Sequence, residues 1–255
     1  LVGAPVGDTE GAPLGLGGGE EEGEEFAVVL AIAAAREPGN GVGTGAECEG
    51  LNEEEGWTEG LSRLYLNWSQ DFLYDDPNLL VTFLDNHDMD RWRGRTPNDA
   101  DARMGYALLL LGRGIPCVYY GSEWGWSSLS RPDGLVREAA FEALANPPEV
   151  ENAWHELIRK LTTFRTEHPK LFAADFKHSI PKDGVYVQWR KAEQEGNREA
   201  LFLLCNRGTE ARADVWDRGP TGWSQGRDVM NGEALQRGES LEVQAGDFLA
   251  IYLTR

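Results

Sequence analysis

Residues 81–84 read VTFL and residues 85–88 read DNHD, so an unbroken apolar run ends where an acid, an amide, an imidazole and a second acid follow one another. A strand covered on both faces reads as such a run, because neither face needs polar side chains. Parallel α/β folds carry their chemistry at the C-terminal ends of strands of this kind. The neighbouring segments fit that architecture. Residues 58–74 are predicted as a helix with Leu61, Leu64, Tyr65, Trp68 and Phe72 on one face, stopped by Asp75, Asp76 and Pro77. Strand 79–84 follows, then a polar loop over 89–97. A helix over 98–111 comes next, N-capped by Asn98 or Asp99 and burying Met104, Ala107, Leu108 and Leu111. Gly112 to Gly114 end it before a second apolar strand, 115–120 (IPCVYY), which runs into GSEWGW at 121–126. Beyond a Pro-containing loop, Trp154, Leu157, Ile158, Leu161 and Phe164 mark a third helix over 149–168. The order αβαβα makes two consecutive units of a parallel α/β architecture over residues 51–168.

From Pro169 the period changes. Segments 184–190 (GVYVQWR), 200–207 (ALFLLCNR), 212–217 (RADVWD), 240–243 (SLEV) and 248–253 (FLAIYL) are short, β-rich and separated by Gly-containing turns. They predict an antiparallel β domain over 169–255, expected as a sandwich, so the fold class is α/β plus all-β.

Residues 1–50 are of another kind. Their GLGGGEEEGEE and PGNGVGTG stretches cannot bury enough apolar surface to offset chain entropy, so this head is expected to be mostly disordered, with a short helix around 26–36. An acidic interaction tail and a truncated remnant both fit it. The formal charge of −19 is concentrated nearby, since residues 1–55 hold thirteen acidic residues against one basic residue, Arg36. A chain this acidic lacks the basic face that nucleic acid and anionic membranes require, so neither is an expected partner. Cys48, Cys117 and Cys205 have no metal-ligand spacing and are expected as free thiols. Leu1 stands where Met would begin a chain, which suggests a piece of something longer. No signal peptide is read, because acidic residues precede the apolar run 26–35 (FAVVLAIAAA), and that run is too short to span a bilayer. The compartment stays open.

FLDNHD (83–88), followed by GIPCVYYGSEWG (114–125), resembles the end of the catalytic barrel of the α-amylase family of glycoside hydrolases. In that family the seventh strand ends in an FxDNHD-like motif and the eighth reads GIPxxYYGxE. The flanking stretches LNEEEGWTEGLSRLY (51–65), DFLYDDPNLLVTFLDNHDM (71–89) and FRTEHPKL with IPKDGVYVQWRK (164–191) are similar to the neopullulanase and cyclomaltodextrinase branch. The resemblance covers residues 51–255. It implies a C-terminal fragment of a (β/α)8 barrel, its last two strands and flanking helices, followed by the β-sandwich. It also implies an α-glucan substrate, starch, maltooligosaccharide or cyclodextrin, cleaved with retention.

Retaining enzymes place two carboxyl groups about 5–5.5 Å apart, one as nucleophile and one as acid/base. The family adds a third that stabilises the oxocarbenium-like transition state, and by motif position that residue is Asp88. His87 is implied as a ligand of sugar hydroxyls in the same subsite. Asn86, Arg91, Trp92, Glu123 and Trp124 complete the candidate substrate-binding set, with Trp126 beside them, because flat aromatic faces suit pyranose rings. Bland readings stay open: a loop cap for Asp88, a satisfied polar group for His87, core filling for the tryptophans. Asp85 and Asn86 are expected to orient the loop, and Tyr119 and Tyr120 to lie in the core.

The family's nucleophile motif, GxRxD, occurs nowhere in the chain, nor does its DxxxNH motif, and no strand carries the acid/base glutamate. Two strands cannot close an eight-stranded barrel. The chain is therefore expected to be inactive alone, and to self-associate through the apolar strand faces that lack partners. The β domain is expected to be a packing module or an accessory carbohydrate-binding one. No cofactor and no metal site are expected. Calcium is left open for an intact family enzyme, because no cluster of oxygen ligands stands out here.

Overall fold

A computed structural model describes residues 56–96, 98–129, 152–194, 196–212, 218–237 and 241–255. The head over 1–50, its short helix and Cys48 lie outside the described residues, as do 213–217 and Ser240 from two of the expected strands.

Helix α1 (Leu61–Trp68) starts after Gly60, whose φ of 62° suits a residue without a side chain. It buries Leu61, Leu64 and Trp68. The helix is shorter than its apolar stripe suggests: a 3-10 turn (Asp71–Leu73) replaces the last expected turn, and Phe72 is 80% exposed. Asp71 is drawn away from a continuing helix into an ion pair with the buried Arg113, at 2.7 Å.

Strands β1 (Val81–Thr82) and β2 (Ile115–Pro116) pair in parallel. Ile115 and Cys117 donate their N–H groups to the carbonyls of Leu80 and Thr82 at 2.8 and 2.7 Å. Regular pairing covers less than the expected 79–84 and 115–120, although Phe83 and Leu84 beyond it are buried. Between the strands lie the single turn α2 (Trp92–Arg95) and α3 (Asp99–Leu111). Asn98 caps α3 by accepting from the Ala100 N–H at 2.9 Å. Every residue from Met104 to Leu111 is buried, so α3 is a core helix rather than an amphipathic one. Its C-terminal carbonyls need partners. Arg165 supplies them, donating to Leu110 and Gly112 at 2.9 and 3.1 Å and also to Gly114. Arg165 comes from α4 (Ala153–Glu167), which α5 (Pro169–Ala173) follows.

The remaining strands form one antiparallel sheet. They are β3 (Phe176–Lys182), β4 (Val185–Gln194), β5 (Asn197–Asn206), β6 (Gln225–Asp228), β7 (Ala234–Gln236) and β8 (Asp247–Thr254), in the spatial order β3-β4-β5-β8-β6-β7. β5 reads as a continuous apolar run because both of its faces are covered. Leu201, Leu203 and Cys205 join the core made by α1, α3, α4 and α5, while Phe202 and Leu204 meet Val187, Trp223, Val243 and Ile251 on the other face. The antiparallel β domain is therefore present as expected, and among the described residues it shows one six-stranded sheet with helices against one face. The second face is covered by irregular segments, joined by the bridge between Arg212 and Val243. The strands 176–182, 225–228 and 234–236 were not expected. β3 is an edge carrying Lys177, Pro181 and Lys182, residue types that blunt edges, while β6 (QGRD) is too polar and β7 (ALQ) too short to read as strands.

Candidate active site

The chain leaves β1 into a buried polar knot. Asp85, only 3% exposed, accepts from the Trp92 N–H at 2.9 Å and from the Ser122 hydroxyl at 3.2 Å. One carboxylate thus ties the loop after β1 to the 3-10 turn after β2 (Ser122–Trp124). Tyr106 of α3 is hydrogen-bonded to Ser122, and burial, reinforced by the Asp85 charge, holds its phenol well above the ordinary range. Gly121 opens the turn at φ 87°, and any Cβ there would collide with the Trp126 ring. Glycine at that position is therefore doubly required.

From this base the loop turns outward. Asn86 accepts from the Asp88 N–H at 2.8 Å, a local turn that projects the two residues it encloses. His87 and Asp88 are 58% and 65% exposed at the side chain, and the imidazole Nε2 lies 3.1 Å from the Asp88 carboxylate. Glu123, Trp124 and Trp126 are half-buried on the facing turn, with the two indoles 5.4 Å apart.

Two residues expected at the substrate are elsewhere. Trp92 is 0% exposed, donates its indole N–H to the Ala102 carbonyl at 3.0 Å and packs on Gly105, where a Cβ would come within 2.6 Å of the ring. Arg91 is also 0% exposed. It donates to the Tyr120 carbonyl, with its guanidinium 4.2 Å from the Tyr119 ring centroid and 5.3 Å from that of Trp126. Neither has surface to offer a sugar. Both anchor the loop instead, because a guanidinium stacked on aromatic rings gains more inside than a second exposed charge would. Asp85, Asn86, His87, Asp88, Glu123 and Trp124 thus remain at one rim or under it, while Arg91 and Trp92 move to its foundation.

Sequence reasoning missed Ser122 and Tyr106. Their signal is tertiary, since Ser122 lies 37 residues from the carboxylate it serves. Chemically, the rim offers one exposed carboxylate beside an imidazole, suited to hydrogen-bonding hydroxyls and facing a developing positive charge. Among the described residues no group of three His, Cys, Asp or Glu side chains converges as a metal site would need.

The family model described as the catalytic domain of α-amylase matches residues 58–231. The cyclomaltodextrin glucanotransferase of Geobacillus stearothermophilus is 28% identical over 181 residues, which is 68% of this chain and 24% of that protein. An α-amylase of Niallia circulans is 30% identical over 131 residues, 51% of this chain and 23% of the relative. The crystal structure of the Geobacillus thermoleovorans α-amylase complexed with acarbose aligns with a TM-score of 0.59 at 25% identity, covering 75% of this chain and 42% of that one. The chain spans about a quarter of the length of these curated relatives.

Proposed function

Because the chain belongs to the α-amylase catalytic-domain family, we propose that its 86–88 loop forms one wall of an α-glucan-binding subsite of a retaining glycoside hydrolase. Asp88 faces the charge that develops on the sugar, and His87 holds hydroxyls of the same ring. One observation carries this reading: His87 and Asp88 are exposed, whereas Asp85, Arg91 and Trp92 around them are buried. Asn86, Glu123 and Trp124 complete the wall. The flanking stretches favour the neopullulanase and cyclomaltodextrinase branch, and the relatives named as cyclomaltodextrin glucanotransferases keep glycosyl transfer as the competing chemistry.

The same reading makes this chain a binder without turnover. A retaining reaction needs a nucleophile and an acid/base, and the chain has no GxRxD motif to supply the first. Titrating the purified chain with maltoheptaose while following tryptophan fluorescence tests the wall. Saturable binding is expected, weakened about ten-fold in Asp88→Asn and in His87→Ala, the scale of one or two lost hydrogen bonds. Equal binding by both variants would place the sugar elsewhere, and release of reducing sugar from starch or cyclodextrin by the chain alone would overturn the second half of the proposal.

A further inference from the structure

At the end of the sheet where β5 meets the end of β8, three cationic side chains gather. Arg198 of β5 and Arg255 just beyond β8 are direct cross-strand neighbours, their backbones exchanging hydrogen bonds of 3.0 and 2.8 Å, so both side chains leave the same face from opposed positions. Like charges placed so are unfavourable unless something lies between them. The two guanidinium groups converge on one two-residue segment. Arg198 lies 5.1 Å from the centroid of the Trp223 ring, and Arg255 donates to the Gly222 carbonyl at 3.3 Å. Lys191, on the next strand and the same face, brings its ammonium to 5.4 Å from the same indole. Among the described residues, the side-chain carboxylate paired with this group is Glu193, 3.4 Å from Arg198, so three cationic side chains stand against one acidic one. That excess stands out on a chain of net charge −19.

Two further observations belong to the Arg255 and Trp223 side of this group. A cleft of about 470 Å³ opens beside Gly222, Trp223, Ser224, Thr254 and Arg255. The Trp223 indole N–H is buried and meets no acceptor among the described residues. Gly222, at φ 94°, would carry a side chain into open space, so the cleft is not closed from that side.

We propose that this corner is an oxyanion site, in which Arg255, Arg198 and Lys191 bind a phosphate or carboxylate group lying against the Trp223 segment. Charge-assisted hydrogen bonds from two arginines suit a planar or tetrahedral oxyanion, and the bound anion relieves the Arg198–Arg255 juxtaposition. The group arrives either as a free anion or on an acidic saccharide. The site lies on the opposite face of the sheet from the helices and makes no use of the 86–88 loop.

The test is the thermal midpoint of the chain titrated with inorganic phosphate at constant ionic strength. A saturable rise is expected, with affinity reduced about ten-fold or more in Arg255→Gln and in Lys191→Gln, the loss of one charge-assisted hydrogen bond each. Both positions are exposed, so neither variant is expected to unfold the chain. Glucose 6-phosphate and glucuronate titrated in parallel distinguish the sources: tighter binding than phosphate identifies a sugar-borne anion, equal binding a free one. No response to any of these anions, the same response to chloride, or an unchanged response in both variants overturns the site.

Discussion

The buried carboxylate of Asp85 shows how much of this site is decided one residue at a time. It satisfies the Trp92 N–H and the Ser122 hydroxyl together, and both groups are out of reach of water. Asp85→Ala leaves the buried Trp92 N–H without this acceptor and the Ser122 hydroxyl with Tyr106 alone, and a buried orphan costs about 1–3 kcal/mol. The variant is expected to unfold at correspondingly lower denaturant, with Asp85→Asn intermediate because an amide oxygen keeps one of the two bonds. An unchanged midpoint for Asp85→Ala would remove Asp85 as the tie between the two loops. The motif placed Asp88 and His87 where the structure exposes them, and the pattern DNHD alone separated them from the apolar strand. Trp92 and Arg91 are buried rather than at the rim because a polar loop in sequence need not be a solvated loop in space. What buries them is α3 and the turn after β2, and neither is adjacent in sequence.

At the scale of elements, α1 meets β3 and β4 through rings. Tyr65 lies 4.8 Å from His178 by ring centroids and Trp68 5.0 Å from Phe176, while His178 shares a hydrogen bond of 3.1 Å with the Tyr186 hydroxyl. Burial first, and the Arg113 charge second, push the His178 imidazole down from 6.5 to about 4. The unfolded chain therefore takes up a proton at this residue before the folded chain does. The stability tied to the neutral ring is whole above about pH 6.5, falls as the pH drops towards about 4, and is flat below it. Asp71 acts in the opposite sense, since burial raises its carboxyl above the ordinary value despite Arg113 beside it. His178→Phe is thus expected to flatten the fall in melting temperature between pH 6.5 and 4 relative to the parent. The same slope in both chains would show that His178 titrates as an exposed residue. The helix α1 itself was legible from its stripe of Leu61, Leu64 and Trp68, but its early end was not, because the Asp71–Arg113 pair that ends it joins residues far apart in the chain.

For the whole molecule, the two-stranded ladder of β1 and β2 bears on how the chain behaves in solution. Leu79 and Ile115, at the strand starts, are 53% and 49% exposed, and Phe72 and Leu73 lie in the turn that leads to them. Apolar side chains exposed to this degree favour association where they form a patch. The net charge of −19 opposes it at low ionic strength. The purified chain is expected to bind an apolar fluorescent dye and to sediment as larger species as salt is added. A monomer that binds no dye at any salt concentration would show that these residues are covered.

The sequence by itself determined the family, the two strand ends and the exposed His87–Asp88 pair, because these depend on contiguous residues: an apolar run, a break in it, a motif. It also placed β4, β5 and β8, whose alternation or two-sided burial is visible locally. Only the tertiary structure decided which apolar faces found partners, that Arg91 and Trp92 lie inward, and that Ser122 and Tyr106 complete the Asp85 knot. The convergence of Arg198, Arg255 and Lys191 on Trp223 is of the same kind. Hydrophobic period says which side of an element wants cover, but strand register and ion pairs between distant residues decide what covers it.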